Sequence, residues 1–176
     1  MNKKAIINVV GVIFIFLIGF ILHNLYEWFP NFFTLVIAPI NESIFEHVKM
    51  IFTSYVIWTI IKHRIYKKYG LIENSFFFKE LLTVILGILL FLAIFLPIYG
   101  KFGENLMGTL TIYLITIIIS QIFNYFFKIK KESKNLNIIG IISIIIIYII
   151  FTYLTYNPLI NNFFLDPTNN SYGLNK

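Results

Sequence analysis

The sequence predicts an all-α, polytopic integral membrane protein: a bundle of about five transmembrane helices, with the N-terminus inside and the C-terminus outside. Two observations predict this class. Of the 176 residues, 59% are hydrophobic and 12% are charged, and the mean hydropathy is +0.83, whereas about a quarter of an average soluble domain is charged. The apolar residues also gather into runs that are each long enough to cross a bilayer.

Five apolar runs are the predicted spans, and together they form one transmembrane helical domain over residues 1–176. The first run follows Asn2-Lys3-Lys4 and is not followed by a small-residue cleavage site, so we interpret it as an uncleaved helix. Residues 157–176 form a predicted extracytoplasmic tail. The spans cover residues 5–26, 44–61, 81–99, 106–127 and 136–156.

The basic residues predict the orientation, because Lys and Arg concentrate in the cytoplasmic loops of membrane proteins. With five spans, most of the 14 basic residues fall on one side, which we take as the cytoplasmic side of the cell membrane. The same distribution accounts for the net charge of +6 without a nucleic-acid partner. The basic residues predicted to lie on the cytoplasmic side are Lys3, Lys4, Lys62, Arg64, Lys67, Lys68, Lys79, Lys128, Lys130, Lys131 and Lys134.

Several classes of site are excluded by composition and motif. The chain has no cysteine, which excludes disulfides, thiolate metal sites and cysteine nucleophiles. It also lacks a G-x-S-x-G nucleophile motif and the glycine-rich loops that bind phosphate or dinucleotides. Any chemistry therefore depends on carboxylates, imidazoles, hydroxyls and amines.

Ionisable residues concentrate where the first span is predicted to end. His23 and Glu27 are four residues apart, so they share a face of the first helix. Trp28 follows, and tryptophan is typical of the membrane interface. Pro30 then ends the helix.

The second span begins with a second polar group. Counting about 100° per residue from Glu42 places Glu46 and Lys49 within about 40° of it, with His47 beside that face. Asn41 directly precedes the group. Ionisable side chains inside a membrane usually face the bundle interior or a water-filled cavity, and they indicate a functional site.

Two kinds of chemistry suit these residues. His23, Glu46 and His47 are candidate ligands of a divalent metal, since imidazole with carboxylate suits zinc, iron or manganese, although their spacing matches no standard motif. In a metal-free site, Glu42 or Glu46 is the candidate general base, His47 an acid or base, and Lys49 a stabiliser of negative charge. The candidate catalytic residues are therefore Asn41, Glu42, Glu46, His47 and Lys49.

The C-terminal tail is predicted to lie on the same side as these residues. Asp166 and Tyr172, with Glu27 and Trp28, are the candidate substrate-binding residues. The alternative is a loop that only caps the bundle, because Asp166-Pro167 and the following asparagines are typical of turns.

The acidic residues of the second span also have a purely structural interpretation. Ser43 and Glu46 are spaced as a capping box, and Glu46 with Lys49 is spaced as an ion pair on one helix. A polar stripe on the fourth span is likewise either a hydrogen-bonded seam between helices or a path for a solute. The stripe comprises Thr109, Tyr113, Thr116, Ser120 and Asn124.

The segment Pro39-Ile40-Asn41-Glu42-Ser43-Ile44-Phe45-Glu46-His47-Val48-Lys49 resembles a family of small, uncharacterised bacterial membrane proteins that carry a P-[IV]-N-E-S-x-x-E-H-x-K segment. The resemblance extends to the upstream residues His23 to Trp28 and to the tail from Asp166. It implies no activity, and it supports only the choice of residues.

Three functions stay open. The first is a membrane-embedded hydrolase or transferase that acts on a lipid or lipid-linked substrate at the extracytoplasmic face. The second is a small cation- or proton-coupled transporter or channel-like protein, for which five spans are few unless the protein forms a homodimer. The third is a structural or accessory membrane subunit, whose polar cluster caps helices or docks a partner.

Overall fold

A computed structural model describes residues 2–103, 105–130 and 133–174, and in this part of the chain it is helical apart from one short hairpin. Lys131 and the last two residues of the predicted tail lie outside the described residues. The elements are α1 (Lys3–Trp28), α2 (Phe32–Ile37), α3 (Ile44–Lys68), α4 (Phe76–Phe102), α5 (Leu106–Phe126), α6 (Lys134–Tyr156), β1 (Leu165–Asp166) and β2 (Ser171–Tyr172).

Five of these helices are long and apolar enough to cross a membrane: α1, α3, α4, α5 and α6. This confirms the predicted all-α class and the predicted number of candidate spans. The short helix α2 lies in the segment between the first two spans. Asn31 caps it, since its side chain accepts hydrogen bonds from the amides of Phe33 and Thr34.

The connection between the second and third spans is shorter than predicted. Helix α3 continues to Lys68 and α4 begins at Phe76, so Lys62 and Lys79 are helical residues rather than loop residues. A hydropathy window ends a span where the charges begin, but Lys and Arg are good helix formers. Gly70 follows the end of α3 with a φ of 63°, which is typical of glycine after a helix C-terminus.

The described residues form two compact units. Unit 1 comprises Met1–Phe16 and Tyr55–Ile141 and contains a buried ion pair. The ammonium of Lys62 donates to Glu80 Oε1 at 2.8 Å and to the side-chain oxygens of Asn124 and Asn8 at 2.6 and 3.3 Å. Lys62 is fully buried and Glu80 nearly so, so this charge is paired inside the unit.

The polar stripe of α5 forms hydrogen bonds within unit 1. Ser120 Oγ lies 2.6 Å from Tyr55 Oη, and Tyr113 Oη donates to the Ile15 carbonyl at 3.1 Å. The Asn124 amide donates to Glu80 at 3.0 Å and to Thr83 at 2.7 Å. This arrangement matches the predicted seam between helices.

Unit 2 comprises Leu17–Ser54 and Ile142–Lys176. Phe45 packs against Phe151 and Phe164, with ring centroids 5.7 and 4.5 Å apart, and its amide donates to the Phe163 carbonyl. The tail forms an antiparallel hairpin in which Leu165 pairs with Tyr172 and Asp166 with Ser171. The aromatic contacts hold the start of α3 against α6 and the chain that precedes the hairpin.

Gly140 provides a test of close packing in unit 1. A Cβ atom there would lie 2.7 Å from the backbone of Phe77 and Phe78, and backbone cannot move aside as a flexible side chain can. We expect Gly140→Ala to lower the free energy of unfolding by about 1–3 kcal/mol or more. The matched control is Gly100→Ala, where no described residue outside the local helix backbone has an atom within 4 Å of the added methyl; it should be neutral or stabilising by up to about 1 kcal/mol. Equal stability of the two variants in detergent would contradict this packing.

The ion pairs of Glu73 predict that the folded protein loses stability in acid. Burial raises the pKa of this carboxyl, but its interactions with Lys4, at 2.6 Å, and with Lys79 outweigh burial and leave the pKa below its ordinary value of 4.5. A depressed folded-state pKa contributes stability above the unfolded-state pKa, and this is lost as the pH falls through the folded-state value. Melting curves in detergent should therefore show Glu73→Gln less stable than wild type at neutral pH, with the difference shrinking below about pH 4.5. A constant difference would argue against these ion pairs.

Candidate functional site

Two histidines and one carboxylate converge in unit 2, and we call them the His–Glu cluster: His23, Glu42 and His47. Glu42 Oε2 lies 3.4 Å from His23 Nε2 and 3.5 Å from His47 Nε2. The centroids of the two imidazole rings are 5.3 Å apart. One potential ligand atom from each residue lies within 4.8 Å of the other two. All three side chains are partly exposed.

Three elements position the cluster. His23 comes from α1, Glu42 from the loop between α2 and α3, and His47 from the first turn of α3. Asn41 orders the loop, since its side-chain oxygen accepts from the Ser43 amide at 3.0 Å and its NH₂ group donates to the Gly173 carbonyl at 3.1 Å. The short Asn41-Glu42-Ser43 segment is thereby attached to the C-terminal hairpin.

The contact of His47 Nδ1 determines which ring nitrogen carries the proton in the neutral imidazole. Nδ1 lies 2.9 Å from the Ser43 carbonyl oxygen, which can only accept, so Nδ1 carries a proton. When the ring is neutral, Nε2 therefore carries a lone pair, and this lone pair faces the ionised carboxylate of Glu42. A lone pair and a carboxylate repel each other unless a proton or a metal cation lies between them. A histidine that donates its other N–H to a carbonyl is also the usual arrangement of a metal ligand.

The two His–Glu42 distances are long for a charge-assisted hydrogen bond. Charge-assisted N–H···O bonds span about 2.7–2.9 Å, which is shorter than the 3.4 and 3.5 Å of the two His–Glu42 contacts. Zinc bonds to nitrogen and oxygen are about 2.0–2.2 Å long, and tetrahedral geometry then separates neighbouring ligand atoms by about 3.4 Å. The two distances from Glu42 Oε2 therefore match the separation of neighbouring ligand atoms in a tetrahedral site.

The surroundings of Glu42 favour the ionised form of its carboxyl group. Its interaction with the His23 imidazole lowers the pKa of the carboxyl below 4.5; partial burial works in the opposite direction, and the charge of His47 lowers the pKa further. Glu42 is therefore ionised at neutral pH, as a metal ligand must be.

A cavity of about 320 Å³ adjoins the cluster. Glu27 lines it, is exposed, and forms no hydrogen bond or ion pair with a described residue. Its carboxylate is thus free to interact with a bound molecule. The lining residues are His23, Tyr26, Glu27, Pro39, Ile40, Asn41 and Glu42.

Lys49 and Glu46 form a separate, fully buried ion pair. Lys49 Nζ lies 2.5 Å from Glu46 Oε2 and also donates to the Leu35 carbonyl at 2.8 Å and to Thr155 Oγ1 at 3.2 Å. An ammonium has three donors, so these partners use all of them. Lys49 consequently has no donor left to stabilise negative charge on a substrate.

Glu46 joins three segments of unit 2. Besides Lys49, it accepts from the Thr155 hydroxyl at 2.8 Å and from the Ile40 amide at 3.2 Å. Only half of the predicted capping box forms: the Glu46 amide donates to Ser43 Oγ at 3.3 Å, but the Ser43 amide donates to Asn41 instead. Glu46 therefore fixes the loop that carries Glu42.

The structure groups the carboxylates differently from the sequence prediction. The candidate metal ligands were His23, Glu46 and His47, but the carboxylate that contacts both histidines is that of Glu42. The reason is that α3 begins at Ile44. Because Glu42 precedes the helix, the angle of 100° per residue does not apply to it, and Glu42 and Glu46 do not share a helical face.

Three predicted substrate-binding residues lie outside the cluster. Trp28 is exposed at the end of α1. Asp166 is buried, and its Oδ1 accepts from the amide and hydroxyl of Thr168 at 2.9 and 2.7 Å, which stabilises the hairpin turn. Tyr172 lines a different small cavity, together with Asn157, Pro158 and Ile160.

Two polar networks contain residues that sequence reasoning missed. Thr155, which bridges Glu46 and Lys49, is one of two threonines near the end of an apolar run and carries no sequence signal. In unit 1, Lys62 and Glu80 were assigned to a cytoplasmic connection by hydropathy. Both residues lie directly beside the end of an apolar run, and this position indicates that the helix can continue and include them.

The buried pair of unit 2 predicts unequal effects of single and double substitutions. Lys49→Met would leave the Glu46 carboxylate buried without its cation, and removing one partner of a buried pair costs about 3–5 kcal/mol. The double variant Glu46→Gln/Lys49→Met removes both charges and should lose less stability than the single variant. Denaturant unfolding in detergent measures both. A single variant as stable as wild type would show that the pair is not stabilising.

Comparison with curated proteins and comparison with solved structures each found no match. A family model matches residues 1–174, almost the whole chain. The chain belongs to this family, DUF6512, a family of unknown function.

Proposed function

We propose that this protein is a membrane-embedded, zinc-dependent hydrolase or transferase, which acts on a lipid or lipid-linked substrate at the extracytoplasmic face. The single observation that carries the proposal is the convergence of His23 Nε2 and His47 Nε2 on Glu42 Oε2 at 3.4 and 3.5 Å. Two histidines and a glutamate are a ligand set of catalytic zinc sites, in which the fourth position stays open for water or substrate.

The chemistry follows from the residues around that position. His23, Glu42 and His47 would hold the zinc ion, which when bound would supply a water molecule acidic enough to attack at near-neutral pH. Glu27 accepts the proton of that water and passes it to the leaving group. The water oxygen forms a bond to the ester carbon or phosphorus, and the bond to the leaving oxygen breaks. In a transferase, an acceptor alcohol takes the place of water.

A lipid substrate fits the surroundings of the cavity. Exposed aromatic side chains belong to the end of α1, the following loop and the start of α2: Trp28, Phe29, Phe32 and Phe33. Aromatic side chains of this kind are enriched at the membrane–water interface. The positive-inside pattern supports an extracytoplasmic position for this segment.

The buried network around Glu46 serves as support for the site. Its bond to the Ile40 amide and the bonds of Asn41 hold the loop on both sides of Glu42. Since catalytic geometry depends on rigid support, this network positions the carboxylate ligand. For Glu46 and Lys49 themselves, the structural interpretation is thus the better supported one.

The transport alternative has less support. Its path depended on the polar stripe of α5, but Ser120 and Asn124 are engaged with Tyr55, Glu80 and Thr83. These polar groups already have protein partners that a passing solute would have to displace.

Metal content tests the proposal first. Protein purified in detergent, loaded with Zn²⁺ and desalted should retain about one zinc ion per chain by elemental mass spectrometry. His47→Ala and Glu42→Gln should lose the metal. His63→Ala is the matched control, since it removes the third histidine, which packs on Phe76 and Phe77, and it should retain zinc. Wild-type protein without stoichiometric zinc would refute the metal site.

Activity separates an enzyme from a metal-binding structural protein. The zinc-loaded protein is assayed with a fluorogenic phospholipid ester and with a lipid-linked phosphoester. We expect turnover that is abolished in His47→Ala and reduced by at least about 100-fold in Glu27→Gln, which should retain zinc, because general bases contribute about 10²–10⁴-fold. Zinc binding without turnover of either substrate would contradict the enzymatic proposal.

A further inference from the structure

An apolar groove lies between α1 and α5 in unit 1 and shares no residue with the His–Glu cluster. Its volume is about 540 Å³, within the range of small-molecule sites. Exposed aliphatic and aromatic side chains form its walls. The lining residues are Ala5, Asn8, Val9, Val12, Ile13, Ile118, Gln121, Ile122, Tyr125 and Phe126.

Gln121 is the unusual residue of this groove. Its side chain is buried, with 2% of the residue exposed, and neither its amide nitrogen nor its amide oxygen has a hydrogen-bond partner among the described residues. Asn8, which also lines the groove, is paired with Lys62 and the Lys4 carbonyl. An unpaired buried amide costs about 1–3 kcal/mol. A ligand with a polar group at this depth would remove that cost.

A second, basic pocket of about 250 Å³ is lined by residues that lie close in sequence to two residues of the groove. Lys4 directly precedes Ala5 of the groove, and Lys128 follows Phe126 by two positions. Lys4 and Lys79 both pair with Glu73, so they neutralise its carboxylate. Lys128 is exposed and forms no ion pair with a described residue. The pocket therefore carries an excess of positive charge.

We propose that unit 1 binds one anionic phospholipid, with an acyl chain in the groove, the ester region at the Gln121 amide, and the phosphate at Lys4 and Lys128. An apolar groove, one unpaired amide and an excess of lysine match the three chemical parts of such a lipid. The sequence predicts a cytoplasmic position for these lysines, and anionic lipids are abundant in that leaflet. This inference is independent of the proposed enzymatic function.

Lipid-dependent melting tests the head-group contact. Delipidated protein in detergent is titrated with phosphatidylglycerol or with phosphatidylcholine of the same acyl chains. We expect phosphatidylglycerol to raise the melting temperature more than phosphatidylcholine does. Lys128→Gln should weaken phosphatidylglycerol binding about fivefold, the effect of one lysine near an anionic headgroup. Lys130→Gln is the matched control, because this neighbouring exposed lysine does not line the pocket, and it should bind as wild type does.

Gln121→Leu tests the groove without a risk of unfolding. Leucine is similar in size and removes an unpaired buried amide, so the variant should melt at or above the wild-type temperature in the absence of lipid. Its affinity for phosphatidylglycerol should fall about three- to tenfold, through the lost hydrogen bond. A lower affinity in a protein that is at least as stable cannot arise from misfolding.

Three results would overturn the proposal. Equal shifts with the two lipids would mean that the headgroup is not recognised. An equal shift with inorganic phosphate alone would mean that the pocket binds free anions. A dimer by light scattering that Ile122→Trp dissociates, with lipid binding unchanged, would mean that the groove is an interface between two copies of this chain.

Discussion

The constraint on which this structure depends is that polar groups in apolar surroundings must find partners within the protein. Lys62 with Glu80 in unit 1, and Lys49 with Glu46 in unit 2, satisfy it as fully buried ion pairs. In each case amide or hydroxyl side chains occupy the remaining donors and acceptors. An isolated charge buried at one of these positions would instead lower the stability of the fold by several kcal/mol, about 3–5.

In unit 2 this constraint also produces geometry that suits a binding site. Glu46 satisfies Lys49, but its two oxygens additionally reach Thr155 of α6 and the Ile40 amide of the preceding loop. The loop is thereby fixed to two helices, and Glu42 is held between two imidazoles. A buried pair that contributes modest net stability can in this way determine the position of a neighbouring, partly exposed carboxylate.

The two proposed ligand sites are places where internal pairing is incomplete. At the His–Glu cluster, the Glu42 carboxylate and His47 Nε2 face each other at 3.5 Å, which is longer than a strong hydrogen bond. In the groove, the Gln121 amide has no described partner. In the proposals above, a bound cation pairs with the groups of the first site, and an ester group of a lipid pairs with the Gln121 amide in the second. The same physical rule that explains the interior thus identifies the positions where something else is expected to bind.

The sequence by itself determined the class of the protein. Hydropathy and run length depend on local composition, so they predicted the all-α class and the five candidate spans. The sequence also singled out all three residues of the His–Glu cluster, because His23, Glu42 and His47 are ionisable residues at the ends of apolar runs.

Only the tertiary structure decided how these residues are paired. Helical angles predicted that Glu42 and Glu46 share a face, but Glu42 precedes the first turn of α3, so backbone geometry outside the helix directs it to the histidines. Thr155 and the Leu35 carbonyl complete the shell of Lys49 from distant parts of the chain. Lys62 and Glu80 were assigned to a connection because hydropathy measures the cost of exposing a charge to lipid. It does not register the partners that remove this cost once the helices pack.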